Sequence, residues 1–278
     1  MKLIHTALLA SLLLLPACKD SQVLGDVVGS MTSMVSAPGS EYAGSVARSA
    51  VAVARSAEDF TPEQEYYIGR AVGAVLLDSY RVYPDEDANR YVNLVGQSLA
   101  LYSDQPQTYG GYRFLILDSE EINAFAAPGG LIFVTRGMLR CCPNEDALAA
   151  VLAHEITHVT EKHALRSIKS ARATEALGVI GSEAAGHFAP AEISQLTGLL
   201  SESVGDIMQT MVVNGYSRDY ERDADAGAVR ILQRMGYDPA AVALMLHEMD
   251  TRLQPGGSDF AATHPDPEDR IADVQPFI

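Results

Sequence analysis

The sequence predicts an α+β domain, mostly α-helical, with a small β-sheet packed on one buried central helix. Three observations carry that prediction. Helix-capping signals followed by apolar residues at helical spacing recur along the chain. Two short β-rich runs flank a segment of Ala, Gly and Pro. Finally, Ala147 to Val159 is apolar throughout except at His154, Glu155, Thr157 and His158. A hydrophobic fraction of 47% over 278 residues is that of a globular chain, with room for one large domain or two small ones. The formal charge of −16 argues against nucleic acid as a partner, because phosphate binding needs Lys/Arg clusters and no stretch supplies one. Such an acidic surface reads as a solubility feature.

The first residues read as an address. Lys2 precedes the apolar stretch Leu3 to Leu15, which is too short to span a bilayer permanently. The following Leu15-Pro16-Ala17-Cys18 resembles a bacterial lipoprotein signal, so residues 1–17 are expected to be removed and Cys18 to carry the lipid. A plain secretory cut near Ala17 is the alternative. Several acyl chains on one cysteine would give stable anchoring. Lys19 in place of Asp, by resemblance to enterobacterial sorting, favours the periplasmic side of the outer membrane. Residues 18–60 then form a tether, partly helical near Val46, and residues 61–278 form the domain. No other apolar run of about 20 residues is present.

Within the domain, Thr61-Pro62-Glu63-Gln64 is a capping box with proline in the first helical position, and its helix should reach about Tyr80. Pro84-Asp85 opens a second helix whose buried stripe is Tyr91, Val92, Val95 and Leu99. Tyr112 to Leu117 and Leu131 to Thr135 are strands of a sheet of two to four, and Asn123 to Gly130 between them reads as a turn region. Leu131 to Thr135 is expected at an exposed edge to which an extended substrate would add as a strand. Cys141 and Cys142 are adjacent, a spacing that gives only strained disulfides. They read as reduced residues at a helix end, with metal binding as the alternative. Asn144, with Glu145 and Asp146 behind it, caps the apolar helix. Residues 164–213 look loosely helical. Ser217 opens a helix that Gly236 ends, Asp238-Pro239 starts one reaching about Leu253, and Asp266-Pro267 starts the last. No internal repeat is visible, and the tail is too short for an added helical-repeat domain.

His154-Glu155-Ile156-Thr157-His158 is the chemistry-bearing motif. Residues four apart on a helix share a face, so the two imidazoles can grip one Zn²⁺ with Glu155 beside its open position as general base. This points to a zincin-type metalloprotease domain. Polar groups on an otherwise buried helix need such a reason. A catalytic zinc needs a third protein ligand. A third histidine six residues after His158 would be the metzincin solution, but Glu161 and Ala164 hold the required positions. His163, nine residues from His154, projects to the opposite side of a continuous helix and reads as a structural or surface histidine. Within Ser217 to Asp225, Glu221 and Asp225 share a face: one can bind the metal while the other accepts a hydrogen bond from a ligand histidine. Spacing alone leaves open a choice between Glu221 and Asp219 or Asp223, which with Arg218 and Arg222 read as a solvated charged face.

Four ordered motifs, Asn123-Ala124-Phe125, His154 to His158, Ser217 to Asp225, and Thr263-His264-Pro265 with Arg270, resemble the HtpX/BepA/LoiP-like zinc metalloproteases. That family also includes prenyl-protein CaaX peptidases. The match runs from about Thr61 to Ile271. The resemblance implies one Zn²⁺ per chain held by His154, His158 and Glu221, with Asp225 hydrogen-bonded behind a ligand histidine. It implies peptide hydrolysis with Glu155 as general base, and His264 as either a transition-state donor or an inhibitory fourth ligand. Asn123 and Arg270 become candidates for substrate binding. The hydrophobic helices of membrane-spanning members are absent, so the resemblance is to the lipid-anchored branch, acting on unfolded or misassembled envelope proteins. An assembly factor that binds clients with little proteolysis is the second reading. Mn²⁺ or Co²⁺ would suit the same three ligands.

Overall fold

The computed structural model describes residues 60–168, 204–252 and 267–278, all within one compact unit. The expected signal segment, Cys18, the expected tether up to residue 59 and His264 lie outside the described residues, as do residues 169–203.

Helix α1 (Pro62–Ser79) starts on the expected reciprocal cap: Gln64 N–H donates to Thr61 Oγ1 at 3.2 Å and Thr61 N–H to Gln64 Oε1 at 2.9 Å. Helix α2 (Glu86–Ala100) starts on Asp85, whose carboxylate accepts Ala88 N–H at 2.9 Å. Its stripe Val92, Val95 and Leu99 is buried, whereas Tyr91 is half exposed. Tyr91 sits at the stripe's border, where its hydroxyl donates to Glu145 instead of entering the core.

Among the described residues three strands form the sheet: β1 (Arg113–Leu117), β2 (Ala124–Ala127) and β3 (Leu131–Thr135), in the order β1-β3-β2. β3 runs parallel to β1 and antiparallel to β2. Two expectations are corrected here. β3 is the central strand, so both its edges are already paired and no substrate strand can add to it. Ala124 to Ala127 is a strand and not a turn: only Pro128-Gly129-Gly130 turns, with positive φ at both glycines. An alanine run has little intrinsic β signal. This one is selected by burial between helices, where small side chains fit; on the α1 side a Cβ at Gly69 would meet the Pro128 carbonyl oxygen at 1.8 Å. The outer edge of β1 is closed by side chains four apart on α2. Asn93 Oδ1 accepts Phe114 N–H at 3.0 Å and Asn89 Oδ1 accepts Ile116 N–H at 2.9 Å.

Side chains alternate across the sheet, dividing the core in two. Phe114, Ile116, Ile132 and Val134 join the larger cluster with α2 and the helices described next, while Leu117, Phe125 and Phe133 join Ile68, Val72 and Leu76 of α1. Thr135 caps the short α3 (Arg136–Arg140), followed by Cys141 and Cys142, which are not joined to each other by a disulfide. Asn144 then caps α4 (Glu145–Thr160), accepting Ala147 N–H at 2.9 Å. Every residue of α4 from Ala147 to Val159 is buried. After it, residues 163–168 and 204–208 are helical and Gln209–Asn214 form a wide helical turn. Ser217 caps α5 (Arg218–Met235), which ends on Gly236 with φ +90°. Helix α6 (Ala241–Arg252) begins two residues beyond Pro239, after Asp238 Oδ1 takes Ala240 N–H at 2.9 Å. Helix α7 is Pro267–Val274. Gly227 permits the close packing of α5 on α4: a Cβ there would lie 2.3 Å from Thr157 Cγ2. Among the described residues no helix is long and apolar enough to cross a membrane.

Candidate metal centre

Because α5 lies against α4, the carboxylates of one helix face the imidazoles of the other. His154, His158 and Glu221 are all buried and each offers a ligand atom within 4.8 Å of the others. The two Nε2 atoms stand 3.0 Å apart; His154 Nε2 is 3.6 Å from Glu221 Oε2 and His158 Nε2 is 3.5 Å from Glu221 Oε1. A tetrahedral zinc with bonds of about 2.0–2.1 Å sets its ligand atoms about 3.3 Å apart, so these three residues could hold the ion with shifts of a few tenths of an ångström. Spacing left Asp219 and Asp223 as alternatives to Glu221; both are exposed. Arg218 and Arg222 beside them are also exposed, but they pair with Asp269 and Asp273 of α7.

Behind His154 lies a charged clamp. His154 Nδ1 is 3.0 Å from Asp225 Oδ1, and Arg270 of α7 holds the same carboxylate with two parallel hydrogen bonds, Nη2 to Oδ1 at 2.7 Å and Nε to Oδ2 at 2.9 Å. Arg270 Nη1 also lies 3.4 Å from Glu221 Oε2. Burial alone would raise the Asp225 carboxyl, but Arg270 and the His154 hydrogen bond outweigh it and hold it well below the usual carboxylate range. Burial would likewise lower Arg270, and the facing carboxylates reverse that. Asp225 therefore stays charged and can accept a hydrogen bond from His154 Nδ1–H, which leaves Nε2 free to bind metal. Burial lowers His154, keeping it neutral as a ligand must be. Arg270, expected at substrate, is 3% exposed and fully engaged in this clamp.

Behind His158 lies a layer that the sequence reading missed. His163 is wholly buried, its Nδ1 2.8 Å from His158 Nδ1. Its ring stacks on Tyr220 at 4.5 Å, and Tyr216 stacks on His158 at 4.4 Å. The expected placement on the opposite side of the helix fails because the helix does not continue: α4 stops at Thr160, Lys162 takes φ +54°, and a new helical segment begins at residue 163. Counting 100° per residue across that break points the ring the wrong way. The lysine with its left-handed backbone also reaches Glu65 of α1 at 2.5 Å. Burial, with Arg166 nearby, takes the His163 imidazole down to about 3.

Glu155 is buried next to His154, and burial pushes its carboxyl up to about 8 against the pull of Arg270. A carboxyl with a pKa near neutrality is placed to take and return a proton. Asn123 is buried at the start of β2, its side-chain oxygen accepting Ala124 N–H at 2.9 Å. Cys142 is pushed up to about 12 by burial, so it is a thiol, and neither it nor Cys141 belongs to the metal cluster.

The profile of Peptidase family M48 matches residues 86–277. The beta-barrel assembly-enhancing protease of Escherichia coli (strain K12) is 30% identical over 217 residues, which are 76% of this chain and 42% of that protein. The mitochondrial metalloendopeptidase OMA1 of Schizosaccharomyces pombe is 32% identical over 158 residues, 56% of this chain and 43% of its own. The metalloprotease LoiP of Escherichia coli (strain K12) is 25% identical over 184 residues, 66% of each. The chain thus spans less than half the length of the first of these relatives.

Proposed function

The chain belongs to peptidase family M48, and from that premise we propose that it is a zinc metalloendopeptidase cutting unfolded or misassembled proteins of the cell envelope. The observation that carries this reading is the buried convergence of His154, His158 and Glu221 from two packed helices, with Glu155 alongside. Zinc held there would supply a Lewis acid for a scissile carbonyl and lower the pKa of a water molecule. The protein's own groups do the rest. Glu155 accepts the proton of the attacking water and hands it to the leaving amine. Asp225 accepts a hydrogen bond from His154 Nδ1–H and so directs Nε2 inward, and Arg270 holds Asp225 in place. In this proposal His264 remains a transition-state donor or an inhibitory ligand, and Asn123 a substrate contact.

The substrate class rests on the name of the beta-barrel assembly-enhancing relative. Residues 1–17 as a signal and Cys18 as a lipid anchor would hold the domain on the periplasmic side of the outer membrane. The assembly role in the same relative's name motivates a second reading, a factor that assists assembly with little proteolysis, although that name also says protease.

Full-length protein tested on unfolded casein separates the two. We expect cleavage by the wild type, none by Glu155→Gln, and one zinc per chain in both by mass spectrometry. Equal cleavage by both proteins would overturn the chemistry assigned to Glu155. Zinc at one equivalent without cleavage by either would favour the assembly factor, and absence of zinc would overturn the metal centre.

A further inference from the structure

His163 stands within 2.8 Å of His158, nitrogen to nitrogen, and that distance requires one proton between the two Nδ1 atoms. Which ring owns it follows from the other edge of His158. Its Nε2 points at His154 Nε2, 3.0 Å away, and at Glu221 Oε1, 3.5 Å away. A neutral imidazole that offers Nε2 to a metal carries its proton on Nδ1. We propose that His163 is a positioning residue for His158: its Nδ1 accepts the Nδ1–H of His158 and fixes the tautomer that turns His158 Nε2 toward His154 and Glu221. This rests on the metal-centre reading given above and deepens it.

His163 itself is not a fourth ligand, since it approaches the edge of the His158 ring opposite Nε2. Its own proton then sits on Nε2, which is buried and has no hydrogen-bond partner among the described residues. The ring is held against swinging away. It is fully buried and lies parallel to Tyr220, 4.5 Å apart and inclined by 5°, and the Tyr220 ring also carries the Arg166 guanidinium at 4.6 Å. The choice of imidazole has a physical reason. Glu155, Glu221 and Asp225 are already buried around this centre, with Arg270 as the facing cation. A further carboxylate behind His158 would add an uncompensated buried charge, whereas a neutral acceptor fixes the tautomer without one.

The test is zinc affinity by chelator competition for the wild type, His163→Asn and His163→Leu, with ¹⁵N-histidine NMR of the zinc-loaded wild type. Asn presents an acceptor oxygen near the place of Nδ1; Leu presents none. We expect His163→Leu to bind zinc about 10–100-fold more weakly. His163→Asn should stay within about threefold of the wild type. The NMR spectrum should show His158 protonated on Nδ1 and His163 on Nε2, a readout independent of how either variant folds. Unchanged affinity in His163→Leu, equal losses in Leu and Asn, or a His163 proton on Nδ1 would each overturn the proposal. A wild type that takes up no zinc would instead overturn the metal centre, and this proposal with it.

Discussion

The two histidines of the motif sit four residues apart on one helix and are supported in opposite ways. Behind His154 is charge: a buried carboxylate, Asp225, gripped by the Arg270 guanidinium. Behind His158 are neutral rings: His163 at hydrogen-bond distance, Tyr216 stacked on His158 and Tyr220 stacked on His163. Both arrangements orient an imidazole, but they distribute cost differently. The charged side is strong only while both partners remain, because removing one leaves a buried ion unpaired. The neutral side holds no ion and loses little when a ring is trimmed, provided an acceptor stays at Nδ1.

Breaking the charged side should therefore give the largest effect. Arg270→Met leaves Asp225 buried with His154 as its remaining hydrogen-bond partner in the clamp, and a loss of about 3–5 kcal/mol is expected from urea unfolding of the metal-free protein. Adding Asp225→Leu should recover part of that loss, so the double variant falls well short of the sum of the singles. Additive losses, or a single loss below about 1 kcal/mol, would mean that the clamp is no stronger than a surface pair.

This contrast also divides what the sequence made legible. His154, His158, Glu221 and Asp225 lie on two uninterrupted helices, so i,i+4 spacing was enough to bring each pair to one face. Choosing Glu221 over its acidic neighbours needed the family resemblance, and burial agrees with it. His163 was illegible for a definite reason: its position depends on one left-handed residue, Lys162, and lysine carries no signal for that conformation as glycine would. The approach of α5 to α4 hangs on Gly227, which reads in sequence as a mild helix breaker. Strand β2 was missed because alanines are placed there by the space between helices and not by propensity. Arg270 was assigned to substrate because a motif gives the residue but not its direction.

The two sides should also part company with pH in the metal-free protein. His163 falls from an ordinary 6.5 to about 3 through burial, so the unfolded chain binds the extra proton across that interval. Its contribution is lost as pH falls below about 6.5, with a slope of at most about 1.4 kcal/mol per pH unit. Asp225 is depressed in the folded state, so its contribution is fully present above its ordinary 3.8 and is lost only as pH falls through its lower folded value. Stability measured from pH 7 to 3 should therefore decline with a component that His163→Leu flattens and Asp225→Asn leaves in place. The reverse assignment would mean that the clamp, and not the neutral layer, sets the acid sensitivity.

The smallest effect tests whether charge or burial makes the clamp strong. Among the described residues three Arg–Asp pairs join α5 to α7, and one of the three is buried. Arg218 to Asp269 at 2.5 Å and Arg222 to Asp273 at 2.9 Å are as short as the Arg270 contacts, yet their side chains are 45–72% exposed. Water screens such pairs, and holding two long side chains costs entropy. Replacing Arg218 and Arg222 together by alanine should move the melting temperature by about 3 °C or less and leave zinc affinity unchanged. A drop in zinc affinity without a drop in melting temperature would show that these outer pairs steer α7, and through Arg270 the orientation of Asp225. Distance would then be deciding what we attribute to desolvation, and the contrast between the two sides of the centre would have to be drawn from geometry alone.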